Sequence, residues 1–359
     1  MNKKMLSLKK FFILILIIII NFYIIFIIFN NLHSSYKDFR KTNINKNDSF
    51  TNFCQMKTNI EYNDDFFQIA EVRQQIRRKK ISYIETIAGG YGNIGNALII
   101  LNKLINICEN IKCKNVIAPS LDNVIKKPII YKEKNIIIWP NSYKDKINVD
   151  IQINNLNRIF YFTYKNKKFY NRLNIIREEV IANIPIFNNT PDDLVIHIRS
   201  GDVFVNHHNR KYGQPPLCFY QKIINDNNFK NIYLTSSGHE NPTVDRLLEL
   251  YPRIKYINGT LEDSISAIIY SYNLVMSIST FPFTLIRLNN NLKKIFLYSL
   301  FDYDFKDENF TIYRMEASQN YLNKIHGKWE NTKEQRDLMI NENCSNANVS
   351  ILFQKVNPL

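Results

Sequence analysis

No Cys-x-x-Cys pair and no Cys/His spacing of the kind that holds zinc occurs in the 359 residues, so a zinc module is excluded. There is no arginine-rich helix and no aromatic-basic module of the nucleic-acid-binding kind. Basic residues are in excess all the same, 47 against 32 acidic, for a formal charge of +15. They are scattered through a chain enriched in Asn, Ile and Lys. The charge therefore reads as a generally basic surface and not as a polyanion site, and no nucleic-acid partner is expected. No internal repeat is evident, so the chain is not a repeat array. The one glycine-rich turn is not followed by Gly-Lys-Ser/Thr, which excludes a Walker loop.

Apolar residues are plentiful: 45% of the chain is hydrophobic and 13% aromatic, enough for a sizeable core. The length suits an anchor plus two packed domains. Residues 11–29 are almost wholly Ile, Leu and Phe, with Asn21 the strongly polar exception. About 20 such residues span a bilayer core as a helix. Lys3, Lys4, Lys9 and Lys10 precede the run, which sets that end in the cytoplasm. A cleaved signal peptide has a shorter apolar region and a small-x-small cleavage site, and Phe29-Asn30-Asn31-Leu32 is not one. The expectation is a single-pass anchor over 11–29, then a polar stem that cannot bury a core. Glycosylation sequons at Asn47, Asn188, Asn258, Asn309, Asn343 and Asn348 are compatible with a non-cytoplasmic location. The five cysteines are Cys54, Cys108, Cys113, Cys218 and Cys344. They allow one or two disulfides in an oxidising lumen and leave at least one thiol over, with the pairing open.

Residues 81–87 read as a strand, 88–95 as a glycine-rich turn, and 96–111 as a helix on the spacing of Leu98, Leu101, Leu104, Ile105 and Cys108. Strands are expected over 114–118 and 135–139 and a helix over 172–182. The polar linker 188–193 marks a domain boundary. Beyond it, strands over 194–198, 231–235, 254–257, 274–277 and 294–298 alternate with helices over 216–225, 242–250, 261–272 and 281–288. That alternation predicts βαβ units and a parallel sheet, hence an α/β class. The tail after 324 is polar, with one helix over 334–339. Ligands of such sheets sit at the carboxyl ends of the strands. Four of those ends carry polar clusters: 199–202, 236–240, 258–260 and 277–280.

Five motifs stand out. In Gly89-Gly90-Tyr91-Gly92-Asn93-Ile94-Gly95-Asn96, glycines let a ligand approach the backbone and the helix N-terminus favours an anion. In His197-Ile198-Arg199-Ser200-Gly201-Asp202, alternation puts His197 and Arg199 on one side of a strand end. A guanidinium fork suits a diphosphate, and Asp202 can orient it. Tyr212-Gly213-Gln214-Pro215-Pro216 makes a rigid entry to a helix. Ser236-Ser237-Gly238-His239-Glu240 offers hydroxyls to ribose or phosphate, with His239 and Glu240 in reach of base or ribose. Ser279 and Thr280 lie at a helix N-terminus, where hydroxyls cap and N–H groups meet an anion.

Together these residues resemble the fucosyltransferase superfamily, α-1,2-fucosyltransferases first and α-1,6- and protein O-fucosyltransferases more distantly. Gly90-Tyr91-Gly92-Asn93 is similar to its Gly-x-Gly-Asn loop, His197–Asp202 to its His-x-Arg-x-Gly-Asp signature, and Ser279-Thr280-Phe281 to its Ser/Thr-Phe element. The chain departs from the family pattern at Ile94, Ser200, Pro282 and Phe283. The resemblance implies a GT-B-like pair of Rossmann-type domains behind a transmembrane helix and stem. The expected division is a cytoplasmic tail over 1–10, an anchor over 11–29, a stem over 30–75, an acceptor-side N-terminal domain over 76–187, and over 188–359 a nucleotide-sugar-binding domain with a helical tail. It also implies GDP-fucose as donor, a glycan or glycoprotein hydroxyl as acceptor, no metal and no cofactor. By analogy the chain is a type II Golgi membrane protein with a luminal catalytic domain. Arg199, Asp202 and His197 are the expected catalytic residues. Gly92, Asn93, Ser236, Ser237, Glu240, Ser279, Thr280 and Phe281 are the expected donor-binding ones. Two alternatives stand beside this reading. One is a metal-dependent transferase using Asp302 and Asp304, whose spacing suits Mg²⁺ or Mn²⁺. The other is a non-catalytic, membrane-anchored glycan-binding protein.

Overall fold

The computed structural model describes residues 83–87, 94–146, 151–154, 173–205, 210–300, 310–345 and 349–353. All of them belong to one compact unit, Asp64–Leu359. The expected anchor over 11–29, Cys54 and the stem lie outside the described residues. Among the described residues no helix is long and apolar enough to cross a membrane.

The first lobe is a five-stranded sheet: β1 (Tyr83–Ile87), β2 (Asn115–Ile117), β3 (Ile129–Tyr131), β4 (Ile136–Trp139) and β5 (Ile151–Asn154). Its order is β3-β4-β2-β1-β5. All neighbours are parallel except β3 and β4. β1 leads into helix α1 (Ile94–Ile111). The spacing of its leucines predicts a helix with one apolar face. In the structure Ala97, Leu98, Ile99, Ile100 and Leu101 are all buried in succession. Burial extends round the helix and takes in the polar Asn102 and Lys103 as well, because α1 packs on β1, β2 and β4 and also on a helix of the second lobe. Cys108 and Cys113 close a disulfide across its C-terminal end.

Helix α2 (Asn174–Ala182) leads to the second lobe. Its seven-stranded sheet comprises β6 (Leu194–Ile198), β7 (Ile232–Ser236), β8 (Ile254–Tyr256), β9 (Asn273–Met276), β10 (Lys294–Tyr298), β11 (Thr311–Met315) and β12 (Val349–Phe353). The order is β12-β11-β10-β9-β6-β7-β8. Every neighbouring pair is parallel except β11 and β12. Both sheets are therefore mixed, each with one antiparallel edge strand that the alternation of strands and helices does not foretell. The chain steps outward from β6 to β7 and β8, then returns to the other side of β6 as β9. That reversal between β6 and β9 is a switch point, where crevices open at the carboxyl ends of the strands.

The crossovers are helices, and each starts for a local reason. A single turn, α3 (Asp202–Val205), follows β6, and α4 (Leu217–Asn225) opens behind Pro216. α5 (Pro242–Leu250) has proline in its first turn, and its cap Asn241 accepts from Thr243 N–H. α6 (Leu261–Tyr270) carries a reciprocal capping box between Thr260 and Asp263. α7 (Thr280–Leu285) starts at Ser279, whose side chain accepts from Phe281 N–H, and tightens into a 3₁₀ turn over Ile286–Leu288. α8 (Gln319–Ile325) and α9 (Lys333–Asn341) follow β11 and precede the edge strand β12. A disulfide from Cys218 in α4 to Cys344 beyond α9 ties this tail back.

Alternation along β6 divides the core. Leu194, Ile196 and Ile198 pack with α4, α5 and the tail, including the fully buried Trp329. Val195 faces the other way, into the cluster that contains α1, α6 and α7. His197 shares the Val195 face by the two-residue period. The face that carries the second lobe's chemistry is thus the one turned to the first lobe.

Candidate functional site

A cleft of about 410 Å³ opens at the carboxyl ends of β6, β7 and β8, with Ile94, the first residue of α1, and Phe281 of α7 also in its wall. That volume lies in the range of small-molecule sites. His197 and Arg199 bring the end of β6 into the cleft. Ser277, just past β9, accepts from Arg199 N–H at 2.9 Å and meets His197 Nδ1 at 2.8 Å. One serine oxygen thus joins the two strand ends that flank the switch point. With Arg199 N–H as its donor, Ser277 can give its own proton to Nδ1, which leaves the imidazole N–H on Nε2. His197 is buried, and its ring packs 5.5 Å from that of Phe281. Burial first, and the Arg199 charge second, push its pKa down to about 3. It is a neutral hydrogen-bonding group at physiological pH.

Arg199 is the cation of the cleft. Its side chain is 15% exposed, and Nη2 donates to Asp202 Oδ1 at 2.5 Å. Its Nε is buried and has no hydrogen-bond partner among the described residues. A buried, unpaired charged donor is costly unless something supplies an acceptor.

The loop is braced from behind β7. Glu240 Oε2 accepts from Ser200 Oγ at 2.8 Å and from Gly201 N–H at 3.0 Å. Asn241 N–H donates to Ser200 Oγ, and its Nδ2 donates to Arg199 O, both at 2.9 Å. Gly201 takes a φ of +68°, and a Cβ there would stand 3.2 Å from Ser237 Oγ. Glycine is the residue for that left-handed turn. Bonds from its own backbone N–H, then Ser200 and Gly201, hold the Glu240 carboxyl below its ordinary pKa against the opposing effect of partial burial.

On the other side, α1 meets α7 almost without a gap. A Cβ built on Gly95 would lie 2.7 Å from Phe281 N and from the Thr280 carbonyl atoms. Beside it Thr280 Oγ1 donates to Asn96 Oδ1 at 2.8 Å. The contact spans 184 positions in the chain. It sets the first lobe's helix N-terminus against the second lobe's switch-point helix.

The residues expected from the sequence fall into three groups. His197, Arg199, Ser236, Ser237 and Phe281 line the cleft. Asp202, Glu240, Ser279 and Thr280 are not part of the wall among the described residues. They hold it, Asp202 through Arg199, Glu240 through the 200–201 loop, Ser279 as a cap and Thr280 through Asn96. Gly92 and Asn93 lie outside the described residues, as do Asp302 and Asp304. Among the described residues no group of three His, Cys, Asp or Glu side chains is placed to hold a metal.

Sequence reasoning did not single out Asn241 or Tyr256. Asn241 was findable, since Asn before Pro at a helix start is a capping signature. Gln214 in the proline motif proves structural. It is buried, donates to Tyr212 O and Ile278 O, and accepts from Ile278 N–H, so it fixes the loop that carries Ser277 and Ser279.

No family model matches the sequence, and no curated protein matches it. Two solved structures are similar. One is the E. coli ADP-heptose lps heptosyltransferase II, at 9% identity and a TM-score of 0.35, covering 65% of this chain and 90% of that one. The other is the E. coli heptosyltransferase WaaC with ADP, at 10% identity and a TM-score of 0.37, covering 69% and 94%. At such likeness the site has to be read from its own residues. Those residues are one braced guanidinium, a neutral imidazole, two serine hydroxyls and the end of a long helix, gathered at a switch point.

Proposed function

We propose that the protein is a glycosyltransferase that takes a sugar from a nucleoside diphosphate bound in this cleft. Fucose from GDP-fucose is the donor that the motif resemblance favours, and a glycan or glycoprotein hydroxyl is the acceptor. One observation carries the reading. Arg199 lines the cleft at the carboxyl end of β6 beside the switch point, braced on its backbone side and with a buried Nε that has no acceptor among the described residues. A diphosphate supplies acceptors in the geometry that a guanidinium fork matches.

The acceptor oxygen bonds to the anomeric carbon as the bond from that carbon to the diphosphate oxygen breaks. The electron pair leaves with the nucleoside diphosphate, and the acceptor hydroxyl gives up its proton to solvent. Arg199 stabilises that charge where it develops, and the neutral His197 adds an uncharged donor. Asp202 keeps the guanidinium oriented and is already engaged in doing so. The Lys-flanked apolar run over 11–29 and the two disulfides support the companion proposal of a type II anchor with a luminal, Golgi-type catalytic domain.

Arg199→Ala is expected to lower transfer from GDP-fucose by roughly 10²–10³-fold, the scale of removing one charge-stabilising donor. Arg199→Lys, which keeps the charge but loses the fork, should fall between. Radiometric transfer and GDP calorimetry on folded variants test this. Wild-type turnover by Arg199→Ala would end the proposal.

A further inference from the structure

We propose that His239 reads the nucleoside half of the donor by accepting a hydrogen bond from it. The inference rests on the cleft being the donor site and goes one step further into it.

Strand order gives the direction. Arg199 follows β6, Ser236 ends β7 with Ser237 to His239 after it, and Tyr256 ends β8, so the wall runs outward in that sequence. Neighbouring strands stand about 4.8 Å apart, so two steps span roughly 10 Å. That is the order of length between a diphosphate and the nucleoside attached to it. With the diphosphate on Arg199, the nucleoside falls over the ends of β7 and β8.

His239 lines that part of the cleft. Its Nδ1 pairs with Asp245 Oδ1 in the first turn of α5. A carboxylate only accepts, so in the neutral ring Nδ1 carries the proton and Nε2 is a bare acceptor. The Tyr256 ring stands edge-on to the imidazole at 4.9 Å and 65°, which restricts its swing. Nearby carboxylates are turned to the protein: Glu240 to Ser200 and Gly201, Asp263 to Thr260. Ser236 spends its proton on Gly238 O. In that neutral tautomer His239 Nε2 is the acceptor facing the cleft, and its partner is a nucleoside hydrogen-bond donor, either a ribose hydroxyl or an N–H on the base edge.

Calorimetry of the full chain with GDP, 2′,3′-dideoxy-GDP and inorganic pyrophosphate tests this. His239→Phe keeps the ring shape and removes the acceptor. It is expected to weaken GDP about three- to tenfold, the scale of one hydrogen bond, and to leave pyrophosphate unchanged. That second binding also reports that the variant is folded. If dideoxy-GDP binds wild type as weakly as GDP binds the variant, the ribose is the donor. If it binds wild type as GDP does, the base is. Wild-type GDP affinity in His239→Phe, or a matching loss of pyrophosphate, overturns the proposal and leaves the role of Arg199 standing. Failure of wild type to bind GDP or pyrophosphate overturns both.

Discussion

The wall formed by the loops after β6 and β7 is held by a set of hydrogen bonds, whereas the seam between α1 and α7 rests chiefly on close backbone contact where Gly95 has no side chain, with one hydrogen bond beside it. In the wall, Ser200, Gly201, Glu240, Asn241 and Ser277 fix Arg199 and His197 through bonds of 2.8–3.0 Å. At the seam the backbone of Thr280 and Phe281 comes within 2.7 Å of where a Gly95 Cβ would be. Hydrogen bonds depend on protonation and forgive small changes of shape. Steric contact ignores protonation and forgives almost nothing. The two sides should therefore break under different insults.

Acid should break the wall. His197 has a folded-state pKa of about 3 against an ordinary 6.5. Below the unfolded value the unfolded chain binds a proton that the native state refuses. The stability His197 contributes is thus fully present above about pH 6.5 and is lost as pH falls toward 3. The expected slope is about 1.4 kcal/mol per pH unit within that window. Denaturant titrations of wild type and His197→Asn between pH 7.5 and 4.5 isolate it. The variant should be less stable at pH 7.5 and its curve flatter by that slope. Parallel curves would show that the imidazole is not buried as described.

One carbon should break the seam. Alanine normally improves a helix over glycine by about 1 kcal/mol. At position 95 its Cβ meets backbone, which cannot rotate away, so overpacking of about 1–3 kcal/mol wins. Gly95→Ala is expected to lower the melting temperature and weaken GDP binding, equally at every pH. Asn96→Ala removes only the bond to Thr280 and should cost about 0.5–1.5 kcal/mol. A neutral Gly95→Ala would mean that the two helices can move apart freely.

The same contrast explains what was legible beforehand. Strands β6, β9 and β10 announce themselves because both faces are largely buried and their runs are apolar, whereas β7 and β8, with Lys255 exposed, are read from their place between helices. The polar ends of β6, β7 and β8 do line one cleft. The three- and four-residue strands β3 and β5 carry too little pattern to read. β11 and β12 are missed for another reason. β11 alternates weakly, and β12 is an edge strand with Val349 and Ile351 exposed, so neither resembles a buried run. Gly95 sits in a glycine-rich turn visible in the sequence. What forces it to be glycine lies at positions 280 and 281, and no local pattern encodes that. The same holds for the bond from Asn241 to Arg199 and for the disulfide joining Cys218 to Cys344, 126 positions away.

The smallest effect comes from a control in the core beneath the wall. Tyr220 and Tyr321 are both completely buried. Tyr321 donates its hydroxyl to Gln214 O at 2.7 Å, and Gln214 in turn holds Ile278. The Tyr220 hydroxyl has no partner among the described residues, and burial raises its pKa. Removing a bonded hydroxyl strands a carbonyl, whereas removing an orphan one relieves a desolvated group. Tyr321→Phe should therefore cost about 1 kcal/mol and loosen the loop behind Ser277. Tyr220→Phe should be neutral or stabilising by up to about 1 kcal/mol, with GDP affinity unchanged. Chemical denaturation of the pair checks the sign. A clear loss in Tyr220→Phe would show that this hydroxyl has found an acceptor, and that the core behind the wall is polar in a second place.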